Sequence, residues 1–289
     1  MAEVFGVISG AVSTAAIFTT CIDCFTYIQL GRQFGRDFQT YIVRISCARL
    51  RLARWGRAIN IEHDPRFAQQ NGDSPDVADL KEILLQILFL FEQSAEASTK
   101  YVSPTAARAF RTQDSAIYKI ADMDGPQRLV QNKIAQLVKE RHRGTGLLRK
   151  MTWALRDSVQ LGKLLDDITS LVESLEKIAT PSLRPWQLQL ARNETTCFAD
   201  IESLAVLEEA AERVDPLLQS CVRLALGRSH RYVNVVARNG AKAMMGDYYS
   251  QEWNHGPVGF CHVYHGIQVD DEARTHLGNI YGGKGVWDD

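Results

Sequence analysis

Ala241-Lys242-Ala243-Met244-Met245-Gly246-Asp247-Tyr248-Tyr249 and Ala273-Arg274-Thr275-His276-Leu277-Gly278-Asn279-Ile280-Tyr281 are two copies of one pattern, with Gly278 placed 32 residues after Gly246. The same offset pairs His230 with His262, Tyr232 with Tyr264, Val235 with Ile267 and Asn239 with Asp271, and it sets Arg238 against Asp270 as opposite charges. A fixed period makes each copy one structural unit that stacks on the next, and such arrays usually need about three repeats to cover their own faces. Two copies leave end faces open. The pattern therefore predicts a solenoid that finds its missing neighbours in other molecules, as in a templated fibre.

Alternation along each copy sends Val235, Ala241 and Met245, with their counterparts Ile267, Ala273 and Leu277, toward a narrow interior. Stacking at about 4.7–4.8 Å would pair every backbone group with the layers above and below, and Asp247 over Asn279 would add a partial polar ladder. Lys242 over Arg274 brings like charges together and must face solvent. A glycine-rich tail without order, carrying a decayed duplication, is the plainer reading and describes the free monomer. It does not account for a register kept over some twenty positions.

Upstream of Gly227 the spacing is helical, and helices follow one another without strand–helix alternation, so the class is an all-α bundle of residues 1–227 joined to a tail of residues 228–289. Phe38 to Ile59 has apolar helical spacing with an arginine face (Arg44, Arg49, Arg51, Arg54, Arg57) that the balanced charge total assigns to solvent. Ser74-Pro75 opens a helix from Val77 to Ser98 that is apolar nearly all round, and so is expected to be central and buried. Glu62 to Ser74 reads as a loop, Pro126 to His142 as a helix, and Leu147 to Ala179 as one further helix. Helical patterns follow from Trp186 to Ala191 and from Thr196 to Leu226, the last broken at Pro216.

The amino terminus has a second character. Val4 to Ile22 is a run of 19 uncharged residues. As a helix it would span roughly 28 Å, close to a bilayer's hydrocarbon thickness. It lacks the positive leader of a secretory signal, and its serines and threonines dilute it as a constitutive span. Asp23 then interrupts the apolar stretch, at a cost of about 2.5–3.5 kcal/mol for a carboxylate at mid-membrane. Gly6 and Gly10 would let two such helices approach closely in lipid. The residues favour a buried first helix of a soluble bundle, and the two states can hold at different times.

A net charge of −1 argues against nucleic acid. Cys21 and Cys24 lie in an apolar helical stretch and read as core thiols rather than a redox pair. Gly278 to Lys284 has most of a phosphate loop, but Gly285 stands where a hydroxyl should hold magnesium. His255, Cys261, His262 and His265 match no closed zinc set. No residue constellation suggests catalysis, a cofactor or a metal.

Residues across the whole chain resemble the fungal HET-s/HET-S heterokaryon-incompatibility family. They include Gln29-Leu30-Gly31-Arg32, Phe34-Gly35-Arg36-Asp37, Arg54-Trp55-Gly56 and Asp64-Pro65-Arg66-Phe67. Trp153-Ala154-Leu155 and the ending Gly278-Asn279, Tyr281-Gly282-Gly283-Lys284-Gly285 and Trp287-Asp288 add to the match. The resemblance implies a helical HeLo bundle and a prion-forming tail, disordered when soluble and a two-rung β-solenoid in amyloid, closed by Tyr281 and Trp287. It implies that templating of the tail frees the N-terminal segment (Gly6, Gly10, Ala11, Ala15, Asp23) to perforate membranes and kill the cell. Partners would be like tails, a second HeLo domain as in a dimer, and membrane lipid, with the protein moving from cytoplasm to membrane. Gln33 matches the position that helps separate toxic from non-toxic members, where the family carries His or Pro. His230 and His262 stand where the family has ladder asparagines. The competing readings are a non-toxic prion partner and, from another class, a soluble helical adaptor with a flexible tail.

Overall fold

A computed structural model describes residues 12–69, 74–100, 117–142, 153–155, 158–178, 183–227, 230–249 and 262–281. Among them the chain forms two compact units, one running to Phe198 and including Val206–Cys221, the other comprising Ala199–Ala205 and the residues from Val222 onward.

The first unit is helical. Helix α1 (Thr14–Cys24) begins at Ser13, whose hydroxyl accepts the Ala16 amide at 3.3 Å. A short strand β1 (Ile28–Leu30) follows, then a 3-10 run, Arg32–Asp37, in which Gly35 takes a φ of 57° that a side chain would resist. Helix α2 (Phe38–Ala58) is the centre of the unit, touching α1 and three later helices: α5 (Gly125–Arg141), α6 (Ser158–Ile178) and α7 (Arg184–Thr196). Helix α4 (Pro75–Lys100) packs against α1 and α6.

This arrangement corrects two expectations. The apolar helix α4 is not buried all round, because Phe89 is 54% exposed. The buried centre is instead the arginine-bearing α2, where Arg51 and Arg54 lie inside beside Val43, Leu50, Leu52 and Trp55. Charge totals speak only of balance; here the balance is achieved by pairing in the interior.

Three boundaries also differ. The stretch expected as loop contains a one-turn helix α3 (Pro65–Ala68), started by Pro65 and capped by Asp64 Oδ1 accepting the Arg66 amide at 2.9 Å. The single helix expected from Leu147 is instead strand β2 (Trp153–Leu155) and then α6. Trp153-Ala154-Leu155 pairs in parallel with β1, and the Gly31 amide donates to the Leu155 carbonyl at 3.0 Å. Three apolar residues satisfy a helical and an extended period equally, so spacing alone does not separate them. Helix α7 runs longer than Trp186–Ala191. The final pattern breaks at Pro216 as expected, into α8 (Ile201–Ala211) and α9 (Pro216–Gly227) on either side of Asp215.

The strands of the second unit form three parallel pairs: β3 (His230–Val233) with β6 (His262–His265), β4 (Val236–Ala237) with β7 (Gln268–Val269), and β5 (Lys242–Tyr249) with β8 (Arg274–Tyr281). Every partner lies at the 32-residue offset, as Gly246 with Gly278 illustrates. Backbone bonds continue through the corners: the Gln268 amide donates to Val235 and the Asp270 amide to Ala237, each at 2.8 Å. The corners repeat as well. Left-handed backbone occurs at Asn234 and Gly266, at Asn239 and Asp271, and at Gly240 and Glu272, each pair one period apart. Among the described residues each of these sheets has two strands.

Candidate functional site

In the helical unit the site is the seat of α1. Its apolar face buries Ile17, Phe18, Cys21 and Ile22. Phe18 enters through a gap at Gly56 of α2, where an ideal Cβ would lie 2.2 Å from the ring. The ring packs on Trp55 at 6.0 Å and meets the His142 ring edge-on at 6.0 Å. Polar contacts fix the rest of the helix. Cys21 Sγ donates to the Leu84 carbonyl at 3.3 Å, and Arg49 Nε donates to the Ile22 carbonyl at 3.1 Å. Burial raises the Cys21 thiol well above its ordinary range, and burial followed by the nearby Asp23 carboxylate pushes Cys24 up to about 12. Both are free thiols, inert in this setting.

His142 closes the last turn of α5 and lies between two carboxylates. Nδ1 is 2.5 Å from Glu62 Oε1, and Nε2 is 3.8 Å from Asp23 Oδ1. The second distance is that of an ion pair and exceeds hydrogen-bond reach, and Nε2 makes no hydrogen bond. Burial disfavours the imidazolium, but the two carboxylates outweigh it and raise the His142 pKa above its ordinary value.

Beside this seat α2 carries a buried ionic cluster. Arg54, 1% exposed, grips Glu194 of α7 through Nε at 2.9 Å and Nη2 at 2.8 Å, and Asp215 through Nη1 at 3.0 Å and through Nη2. Arg141 also binds Glu194, so two cations face two anions. Asp215 Oδ1 accepts the Leu218 amide at 3.1 Å, which starts α9. Arg51 adds a fork to Glu176 at 3.1 and 2.6 Å and donates to the Val214 carbonyl at 2.9 Å. Arg54 is held protonated: burial opposes its charge, but Asp215 and Glu194 raise its pKa well above the ordinary value.

Of the membrane-segment residues named above, Gly6, Gly10 and Ala11 lie outside the described residues. Ala15 is half-buried in the first turn of α1, and Asp23 is half-buried in the last. Gln33 lies in the 3-10 run before Gly35. Among the described residues no helix is long and apolar enough to cross a membrane.

In the strand unit Val235, Met245, Ile267 and Ala273 are half-buried, while Ala241 is exposed and Ala237 is the buried small residue. Met245 pairs with Leu277, Asp247 with Asn279 and Tyr249 with Tyr281. Arg238 Nε lies 3.3 Å from Asp270 Oδ2, a solvent-facing pair worth about 0.2–1 kcal/mol. Lys242 and Arg274 are register partners and both exposed. Trp287 lies outside the described residues, as do His255 and Cys261.

Sequence reasoning missed Glu62, Arg141, His142, Glu194 and Asp215. Only Asp215 had a signal, an N-cap acid directly before Pro216.

A helical bundle that retains an apolar N-terminal helix, followed by a doubled parallel-strand unit, is the class this architecture defines. Residues 6–207 match the HeLo family, described as prion-inhibition and propagation, and the chain belongs to that family. It is 33% identical to heterokaryon incompatibility protein s of Podospora anserina and 32% identical to protein S of the same fungus, each over the full length of both chains. The fold matches the HET-S N-terminal domain with a TM-score of 0.70 at 33% identity, covering 77% of this chain and 97% of that one. A double mutant of the HET-s N-terminal domain matches with a TM-score of 0.67 at 33% identity, covering 73% and 97%.

Proposed function

We propose that this protein is a prion-controlled cell-death effector of heterokaryon incompatibility. Its tail assembles on a like template, the HeLo bundle rearranges, and the N-terminal segment passes from its seat into membrane. The observation that carries the reading is the parallel pairing of the two repeats in one unbroken 32-residue register. Two rungs with matched corners present the same backbone groups above and below, so a further copy adds by continuing the ladder already present. Full-length similarity to incompatibility proteins of both the s and S types supports the same reading. The partners are like tails, a second HeLo domain and lipid, and the protein moves from cytoplasm to cell membrane on activation.

The test is seeded assembly followed by vesicle leakage. Fibrils of the isolated 228–289 tail should convert full-length protein and release dye from liposomes. Failure of the tail to form seedable cross-β fibres would overturn the prion reading. Seeding without leakage would make the protein a non-toxic partner of the same amyloid.

A further inference from the structure

His142 is the one described group that joins the charged end of α1 to the rest of the bundle through a proton-dependent contact. We propose that His142, Asp23 and Glu62 form a pH-sensitive clasp that keeps α1 seated and loosens as pH rises. This rests on the reading that α1 is the segment released, and it names what regulates that release.

The geometry supplies the argument. One ring from the end of α5 faces Asp23 on α1 at 3.8 Å and Glu62, just beyond α2, at 2.5 Å. As imidazolium the ring attracts both carboxylates. As neutral imidazole it has a single N–H, which the 2.5 Å contact assigns to Glu62, and Asp23 then loses its only cationic partner on α5. The remaining charged groups around the clasp do not take over this role. Arg141 is engaged with Glu194. Arg57 and His63 line the shallow cleft shared with Phe18, Gly56 and Glu62, and neither forms an ion pair with Asp23. Arg49 and Tyr27 lie within electrostatic reach of Asp23, and the Arg49 guanidinium, which donates Nε–H to the Ile22 carbonyl, stays charged throughout the window, so its attraction does not change with the His142 proton. Phe18 packs edge-on against the same imidazole, so the switch also touches the largest side chain on the buried face of α1.

The sign follows from linkage. Release carries Asp23 away from the ring while Glu62, beyond α2, stays, so by the loss of that carboxylate the seated state binds the His142 proton more tightly than the released state. Stabilisation of the seat is therefore full below the released-state value and is lost as pH rises through the raised value in the fold. Within that window one proton is released per opening event, so the opening constant of α1 rises by up to about tenfold per pH unit and then levels off.

The experiment uses unseeded full-length protein and needs no membrane. Amide-exchange protection factors for the residues of α1, corrected for intrinsic exchange, are measured from pH 6 to 9 beside an imidazole NMR titration. Wild type should show His142 titrating above 6.5 and α1 protection falling across that window, while His142→Gln shows a flat profile. Glu62→Gln should bring the His142 titration down and narrow the window, which keeps the test decisive if His142→Gln fails to fold. A wild-type profile as flat as that of His142→Gln, or a His142 that titrates at or below 6.5, overturns the clasp. If the pH window is present but seeded protein releases no dye, the clasp stands and the release reading fails.

Discussion

At the residue scale the bundle depends on where α2 puts its arginines. Arg54 faces Glu194 and Asp215, both fully buried, and Arg141 balances the second acid. Replacing Arg54 by Ala would leave Asp215 without its cation and Glu194 with Arg141 alone. Breaking a buried pair in this way costs about 3–5 kcal/mol, because the stranded charge has lost both water and partner. For a bundle of this size the melting temperature should fall by on the order of 10 °C, measured by thermal unfolding of the full-length protein. Gly56→Ala tests the neighbouring seat. The new methyl would overlap the Phe18 ring, which Trp55 and His142 hold on two sides. Overpacking of about 1–3 kcal/mol should exceed the roughly 1 kcal/mol that alanine adds to helix propensity, and the loss should appear as weakened exchange protection in α1. Neither cluster was legible in the sequence. Glu194 lies 140 residues beyond Arg54, and no local spacing announces a pairing across that distance. The arginine face accordingly looked solvated.

At the element scale the tail was far more legible than the bundle's small sheet. A 32-residue offset fixes partners along three ladders, whereas β1 and β2 are three-residue strands whose apolar side chains fit either period. The corners are legible only in part. Asn and Gly adopt left-handed backbone readily, as Asn234, Asn239, Gly240 and Gly266 do here, while Glu272 takes φ of 57° against its own preference. The neighbouring rung over-determines it, since its partner position holds Gly240 with φ of 71°. Gly266 is the sharper test. A Cβ there would lie 2.5 Å from Asn234 Oδ1 on a residue already at φ of 65°. Gly266→Ala should therefore slow seeded fibre growth of the tail by tenfold or more, followed by thioflavin fluorescence, and leave the thermal unfolding of the helical unit unchanged.

At the scale of the whole molecule two properties of α1 have to be reconciled. Its apolar face is covered in the bundle, yet the uncharged run of sequence that leads into it, Val4 to Ile22, has the length of a bilayer's core. The seated state gains burial of Ile17, Phe18, Cys21 and Ile22, and it keeps Asp23 beside a cation. A membrane-inserted state must compensate the first of these with lipid and leave Asp23 at the segment's end, where a carboxylate costs least. That asymmetry predicts how a second acid should act. Ala15 is half-buried in the first turn of α1 and near the middle of the uncharged run. An aspartate there adds about 2.5–3.5 kcal/mol to insertion at mid-membrane, whereas at a half-exposed position in the bundle it keeps contact with water. Ala15→Asp should leave seeded assembly of the tail intact and reduce dye release from liposomes by tenfold or more. If release persists at the wild-type rate with fibres present, the segment that perforates the membrane is not the one containing α1, and templating must act through another part of the bundle.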